Sequence, residues 1–260
     1  MIIDTESHIL RFFTTPDRWG SGVFTKPCTW QERPADLLIA EMDRAGVDKA
    51  ILISYDAEDI LWYLQRKRLG VEDFAGGSRY TQDGVRRFPG RFVWYVTIKD
   101  PRRYDTVSLL REAWGLGAKG IKVFPAYIRC HLDSPEMLKV FTACTEMQMQ
   151  ALISFEDIEP PATLDLGTYL KQLYVVLERH PSTNFGLVHG GCADPLSSSL
   201  AEVIVELTRR HPNLYLSTAK VGNIWDDGVE YPFARYLRRL EILSGKVGAG
   251  KLMWASDWPW

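Results

Sequence analysis

The sequence predicts a (β/α)8 barrel (TIM barrel), an α/β fold, and three observations carry that reading. Eight short apolar runs are spaced along the 260 residues. Most are near-continuous rather than alternating, as parallel strands buried on both faces require. Segments with apolar residues at three-and-four spacing lie between many of them, the mark of covering helices. One such barrel is typically about 250 residues long, so residues 1–260 read as a single domain. A doubly wound open sheet is the second choice, disfavoured because no G-x-G-x-x-G follows the first strand.

The first strand, Ile2–Thr5, leads towards an irregular stretch, Arg11–Arg33, whose Pro16, Gly20, Gly22 and Pro27 suit a loop over the barrel mouth. Pro34–Gly46 reads as a helix through Leu37, Leu38 and Met42, with Gly46 placed to cap it. Ala50–Ser54 and Phe92–Ile98 are the second and third strands. Between them the signal weakens: Ile60–Arg68 looks helical, while Ala75–Asp83 is rich in Gly and polar residues. Gly120–Phe124 is the fourth strand. Ser134–Gln148 follows as a helix, with Ser134 as N-cap, Pro135 at the first helical position, and Met137, Val140, Phe141, Cys144 and Met147 on one face. Ala151–Phe155 and Phe185–His189 are the fifth and sixth strands. Leu196–His211 repeats the helical spacing with Leu200, Val203, Ile204 and Leu207. Leu214–Ser217 is the seventh strand, and Tyr231–Leu243 a helix through Phe233, Tyr236 and Leu240. Leu252–Ala255 is the eighth strand. The sequence stops at Trp260 just after it, where a barrel normally adds a last helix. Either the chain is a fragment, or another segment covers that strand.

Lys and Arg number 31 against 33 Asp and Glu, a net charge of −2. That balance lacks the basic excess of a dedicated nucleic-acid binder. No run approaches the roughly 18 apolar residues of a membrane span. The first residues have neither the basic nor the apolar region of a secretory signal. Cys28, Cys130, Cys144 and Cys192 form no C-x-x-C pair and read as reduced thiols of a cytoplasmic protein.

Barrels of this kind carry their chemistry at the C-terminal ends of the strands. Asp4, Glu6 and His8 follow one another at a spacing of two at the first strand, which sends Glu6 and His8 to one side. Lys122 lies at the fourth strand, Ser154 and Glu156 near the fifth, His189 at the end of the sixth, and Asp257 after the eighth. Singly, each has an ordinary explanation: a surface pair, a solvated lysine, a turn, a helix cap. Together, two carboxylates and an imidazole converging on one point suit a divalent ion such as Zn²⁺ or Mn²⁺. His180 and His211 both stand in Arg-His-Pro at helix ends, on the opposite rim, where a cationic ring would favour the helix dipole. His131 is within reach of the mouth. Trp258, Trp30, Tyr55 and Phe124 are candidate pocket walls, although ordinary packing explains aromatic residues as well.

Six motifs in order carry a resemblance. They are Ile-Asp-Thr-Glu-Ser-His at 3–8, Phe-Pro-Gly-Arg-Phe at 88–92, Gly-Ile-Lys-Val-Phe-Pro at 120–125, Leu-Val-His-Gly-Gly at 187–191, Asn-Leu-Tyr-Leu-Ser-Thr at 213–218 and Trp-Ala-Ser-Asp-Trp-Pro at 254–259. The chain resembles the amidohydrolase-related metal-dependent hydrolases, in the branch of aminocarboxymuconate-semialdehyde decarboxylase and the aromatic-acid decarboxylases. The resemblance implies one divalent metal ion, zinc ranked ahead of manganese, held by Glu6, His8 and Asp257. It implies that Asp257 also moves a proton, and that His189 polarises the substrate or activates the attacking water. Glu6-x-His8 stands where the family usually has H-x-H, a variant seen in some of its decarboxylases. The family's metal-binding histidine of the fifth strand falls at Ser154, with Glu156 as the candidate substitute. Lys122 either pairs with a substrate carboxylate or sits in a structural network, and Trp258 is the other candidate substrate contact.

Three functions follow as expectations. The first is a metal-dependent hydrolase of a small organic carboxylate, ester, lactone or amide. The second is a non-oxidative decarboxylase of an aromatic or unsaturated acid at the same site. The third is a barrel without catalysis that serves in binding. The expected partner is a small-molecule substrate, with no nucleic acid and no membrane, and a homodimer is the candidate assembly.

Overall fold

All eight expected strands form, each within two residues of its predicted ends. The computed structural model describes residues 1–13, 31–54, 78–155, 165–221 and 233–258. Its strands are β1 (Ile3–Ser7), β2 (Leu10–Phe13), β3 (Gln31–Arg33), β4 (Lys49–Ser54), β5 (Phe92–Thr97), β6 (Gly120–Val123), β7 (Gln150–Ile153), β8 (Phe185–Leu187), β9 (Leu214–Ser217) and β10 (Leu252–Met253). The described helices are α1 (Ala35–Ala45), α2 (Ser78–Arg87), α3 (Thr106–Gly115), α4 (Pro125–Ile128), α5 (Pro135–Glu146), α6 (Leu166–Arg179), α7 (Ser199–Arg210) and α8 (Ala234–Val247). Two short 3₁₀ turns, Val188–Gly191 and Ala249–Lys251, complete the set.

Eight strands pair in the order β1-β4-β5-β6-β7-β8-β9-β10, all parallel. The two ends of that ribbon meet. Thr5 donates its backbone N–H to Trp254 at 3.0 Å, Asp257 to Glu6 at 2.8 Å, and His8 to Trp258 at 2.8 Å. This seam makes a (β/α)8 barrel. The small sheet β2–β3 is antiparallel and pairs the two ends of the stretch expected as a mouth loop, while residues 14–30 lie outside the described set.

Two apolar environments explain the continuous strand runs. Ile121, Val123, Ala151, Ile153, Phe185, Leu187, Leu214 and Leu216 face outward and pack under the helices with Val140, Phe141, Leu173 and Ile204. Ile53, Tyr95, Leu152 and Val188 fill the barrel interior, with Ile51, Val93 and Met253 against them. The interior is tight at two glycines. A Cβ on Gly120 would meet the Tyr95 ring at 2.3 Å, and one on Gly186 would meet Met253 Cε at 2.5 Å and Leu152 Cδ2 at 2.6 Å. An aromatic ring cannot fold away, whereas the end of a methionine can. Gly120→Ala is therefore expected to cost about 1–3 kcal/mol, and Gly186→Ala less. Urea unfolding of the two variants checks the order, and equal costs would contradict it.

The helices follow from their local chemistry. Ser134 Oγ accepts from the Met137 N–H at 3.3 Å and opens α5, with Pro135 behind it. Gly46 closes α1 at φ 71°, as a left-handed cap requires. Two further helices, α3 and α6, carry an apolar stripe through Val107, Leu110 and Ala113 and through Tyr169, Leu170, Leu173, Val176 and Leu177, and both start on aspartates. Asp105 accepts from the N–H and hydroxyl of Ser108 at 3.2 and 2.7 Å, and Asp165 from those of Thr168 at 2.9 and 2.8 Å. The polar stretch that gave a weak signal is α2. It buries only Thr81 and Gly84, and a Cβ on Gly84 would meet Ile9 Cδ1 at 2.7 Å, so the helix packs through its backbone. The other weak segment, Ile60–Arg68, lies outside the described residues. Val203 of α7 is exposed rather than packed, and Phe233 is an exposed left-handed residue before α8, not part of its apolar face. Half-buried Tyr236 and Leu240 do form that face, as expected, together with buried Leu243. Among the described residues no helix is long and apolar enough to cross a membrane.

Candidate metal centre

The interior side chains change character towards the C-terminal ends of the strands. Above Gly120 on β6 stands Lys122, above Leu152 on β7 Ser154, and above Tyr215 on β9 Ser217. Above Met253 on β10 come Ala255 and then Asp257. All of these polar groups are buried, Lys122 to 1% and Ser154 to 0% exposure. Glu6 and His8 project from β1 and its extension into the same space, both at 1%. One ligand atom from each of Glu6, His8 and Asp257 lies within 4.8 Å of the others.

Every carboxylate oxygen of the group is engaged. Glu6 Oε1 accepts from the Lys122 ammonium, and Oε2 from the Ser217 hydroxyl at 3.2 Å. Asp257 Oδ2 pairs with Lys220 Nζ at 2.5 Å, and Oδ1 faces His8 Nε2 at 3.4 Å. Burial alone would raise the Asp257 carboxyl, but Lys220 and the His8 contact outweigh it and hold the group well below the usual carboxylate range. His8 Nδ1 lies 3.1 Å from the Ile53 carbonyl, which can only accept, so Nδ1 carries the proton. Nε2 then faces the Asp257 oxygen at 3.4 Å, as an ion-pair donor when the ring is protonated and as a lone pair open to a metal ion when it is neutral. Nitrogen and oxygen donors of this kind suit Zn²⁺ or Mn²⁺, and the residues present fit such an ion.

His189 is held in the same way, with Nδ1 donating to the Ala219 carbonyl at 3.1 Å. Its turn has an unusual backbone. His189, Lys220 and Asp257 all adopt left-handed φ, at 56°, 48° and 55°. Such conformations cost non-glycine residues energy and gather at functional sites. Gly191 at φ 80° completes the His189 turn, and a Cβ there would strike Ile204 Cδ1 at 2.7 Å. The chain beyond is pinned by fully buried Arg239 of α8, which grips both oxygens of Asp194 at 3.0 Å.

Beneath the group, Asp4 accepts from the backbone N–H of Ser256 at 3.0 Å and from its hydroxyl. Burial outweighs these bonds and pushes its pKa up to about 6. An acid raised in the folded state stabilises the fold while protonated and loses that contribution as pH climbs from about 4 to about 6. The stability of wild type relative to Asp4→Asn is therefore expected to fall by about 3 kcal/mol over that window. Urea unfolding of both proteins between pH 4 and 7 measures it, and parallel curves would reject the assignment.

The structure thus brings together Glu6, His8, Asp257, Lys122 and His189, as expected from the sequence. It adds Lys220 and Ser217. Phe124 is also close, its ring centre 5.0 Å from Lys122 Nζ. Trp258 instead packs against the cluster of Ile9, Leu38 and Met42, and its carbonyl serves the seam. Glu156, Trp30 and Tyr55 lie outside the described residues. His131 is exposed and bonds Gln172 at 2.8 Å, away from the group. His180 and His211 do cap α6 and α7, but burial lowers both pKa values, so neither is the cation expected at a helix end. A cavity of about 460 Å³ between α2 and α3, lined by Trp94, Val96, Ile98, Leu110 and Ala113, holds none of the converging groups.

A family model described as amidohydrolase matches residues 3–260. No curated protein matches. Among solved structures, a probable 2-pyrone-4,6-dicarboxylic acid hydrolase from Acinetobacter baumannii with bound citric acid shares 16% identity at a TM-score of 0.65, over 99% of this chain and 84% of that one. An amidohydrolase from Burkholderia multivorans with bound zinc gives 16% and 0.65, over 100% and 84%. The 5-carboxyvanillate decarboxylase of Novosphingobium aromaticivorans, complexed with manganese and a nitrobenzoic acid, gives 19% and 0.61, over 100% and 86%. At these identities the likeness is one of fold.

Proposed function

Because the chain belongs to the amidohydrolase family, we propose that it hydrolyses a small organic ester, lactone or amide at the barrel mouth, with one divalent ion on Glu6, His8 and Asp257. The observation that carries this reading is the convergence of those three buried donors within 4.8 Å, with His8 Nε2 3.4 Å from the Asp257 carboxylate. Zinc ranks ahead of manganese for a site that includes an imidazole. When bound, the ion supplies Lewis acidity and makes water a stronger acid.

The chain's own groups supply the proton handling. Asp257 accepts the proton of the attacking water and returns it to the leaving group. His189, whose Nδ1 is fixed on a carbonyl, donates from a protonated Nε2 to the oxygen that gains charge. Lys122 balances Glu6 and offers an ammonium to a substrate carboxylate. The three described cysteines are free thiols, which supports a reducing, cytoplasmic setting.

Decarboxylation of an aromatic or unsaturated acid is the second reading, favoured by Glu6 in place of the usual histidine and by the fold likeness to a manganese-bound decarboxylase. The same centre would then protonate ring carbon through Asp257 or His189. Metal content by mass spectrometry, followed by a substrate panel, separates the readings. About one equivalent of zinc or manganese with turnover of esters, lactones or amides supports hydrolysis. Release of CO₂ from hydroxybenzoates alone supports decarboxylation. A folded, metal-free protein silent on both panels rejects both.

A further inference from the structure

A covering helix normally lays apolar side chains on the strands beneath it, and α2 does not: it buries only Thr81 and Gly84. The α2 residues that line the cavity towards α3 are Ser78, Arg79, Gln82 and Arg86, none of them apolar. Beneath and opposite them the surface is apolar. Trp94, Val96 and Ile98 come from the outward face of β5, and Leu110 and Ala113 from α3. Leu109 and Leu116 carry that surface to the rim, where both are exposed. The cavity of about 460 Å³ falls within the roughly 300–1,000 Å³ of small-molecule sites. It is elongated: from Ser78 to Arg86 it follows α2 for about 12 Å. Spread over that length, its volume leaves a cross-section of roughly 40 Å², enough for a hydrocarbon chain and too little for a helix about 10 Å across.

The two ends differ in charge. β5 rises towards the barrel mouth and α2 descends before it, so Arg79 and Lys99 stand together at the upper end. The lower end has Arg86, already paired with Asp83 at 3.2 Å, and Glu112, the one acidic residue among the described lining. We propose that this cleft on the flank of the barrel binds a linear acyl carboxylate, its head on Arg79 and Lys99 and its chain along Val96, Leu110 and Trp94. Water between apolar walls has few partners, so a chain that displaces it gains affinity. The cationic end selects the head group through charge-assisted hydrogen bonds. The site shares no residue with the metal centre and does not depend on it.

The test is calorimetric titration of the protein with decanoate, with decanol and decylammonium as the neutral and cationic controls. One saturable site is expected, about tenfold tighter for decanoate than for either control. Arg79→Gln changes an exposed side chain and should weaken decanoate about threefold to tenfold while leaving decanol unchanged. ω-Bromodecanoate would carry its heavy atom to the lower end and should quench Trp94 fluorescence. Trp94→Phe should keep the binding and lose that quenching. Removal of bound metal with a chelator should change none of these results. Four outcomes overturn the inference and leave the metal centre untouched. They are no saturable binding of decanoate, equal affinity for decylammonium, quenching that persists undiminished in Trp94→Phe, and binding seen only when Zn²⁺ is loaded, which would place the carboxylate at the barrel mouth.

Discussion

Asp257→Asn is expected to lower kcat/KM by about 10²–10⁴-fold on whichever substrate is turned over, the range for loss of a general acid–base group. Asparagine keeps the side chain's size, and it tolerates the left-handed φ of 55° better than most residues, so the backbone is not the cause of the loss. What goes is the charge that Lys220 and His8 share. An amide cannot accept the water proton, and as a metal ligand it is far weaker than a carboxylate. Metal per protein should therefore fall with the rate. Three readouts on one preparation decide the matter: melting temperature, metal by mass spectrometry, and turnover. A folded variant with full metal and more than a tenth of the wild-type rate would sink the assignment of Asp257.

The second large effect is on stability. Glu6→Gln leaves the Lys122 ammonium buried at 1% exposure without its counter-charge. Breaking a buried pair from one side costs about 3–5 kcal/mol, whereas replacing both partners by groups without charge is often neutral. The double variant Glu6→Gln/Lys122→Met should therefore recover most of the loss. A double-mutant cycle by urea unfolding measures the coupling. A cost below about 1 kcal/mol for the single change would mean that water reaches the pair.

The fold was legible because burial on both faces leaves a plain trace. Runs such as Ala-Ile-Leu-Ile-Ser at 50–54 and Ala-Leu-Ile at 151–153 have no polar side to hide, and each is a barrel strand. Helices were legible where packing uses side chains, as in α5, and illegible where it uses backbone, as at Gly84 in α2. α3 and α6 carry both signals, an apolar stripe and an Asp-x-x-Ser or Asp-x-x-Thr cap.

The site was legible to the extent that the rule of strand ends applies. Glu6, His8, Lys122, His189 and Asp257 all follow from it. Lys220 stands three residues past Ser217, the last residue of β9, so the same rule could have found it; no spacing ties it to Asp257, 37 positions on. Trp258 shows the limit of adjacency. At a left-handed Asp257 the chain turns, so the neighbour of a buried carboxylate packs elsewhere. His180 and His211 show that position alone does not set charge: both stand where a cation would be welcome, and burial keeps them neutral.

The seam ties residues 5–8 to residues 254–258, and the candidate ligands stand on both sides of it, Glu6 and His8 on one and Asp257 on the other. During synthesis Glu6 and His8 emerge early and then wait for Asp257. At about 5–20 residues per second the delay is roughly 10–50 s. Over that interval a ribosome-bound chain carries two of the three ligands, both lysine-matching carboxylates are not yet present together, and the ribbon of strands has an unpaired edge at β1. Closing the seam removes that edge, and an ion on Glu6, His8 and Asp257 would help to hold it closed, so a cell short of the metal is expected to hold more chains that associate through β1.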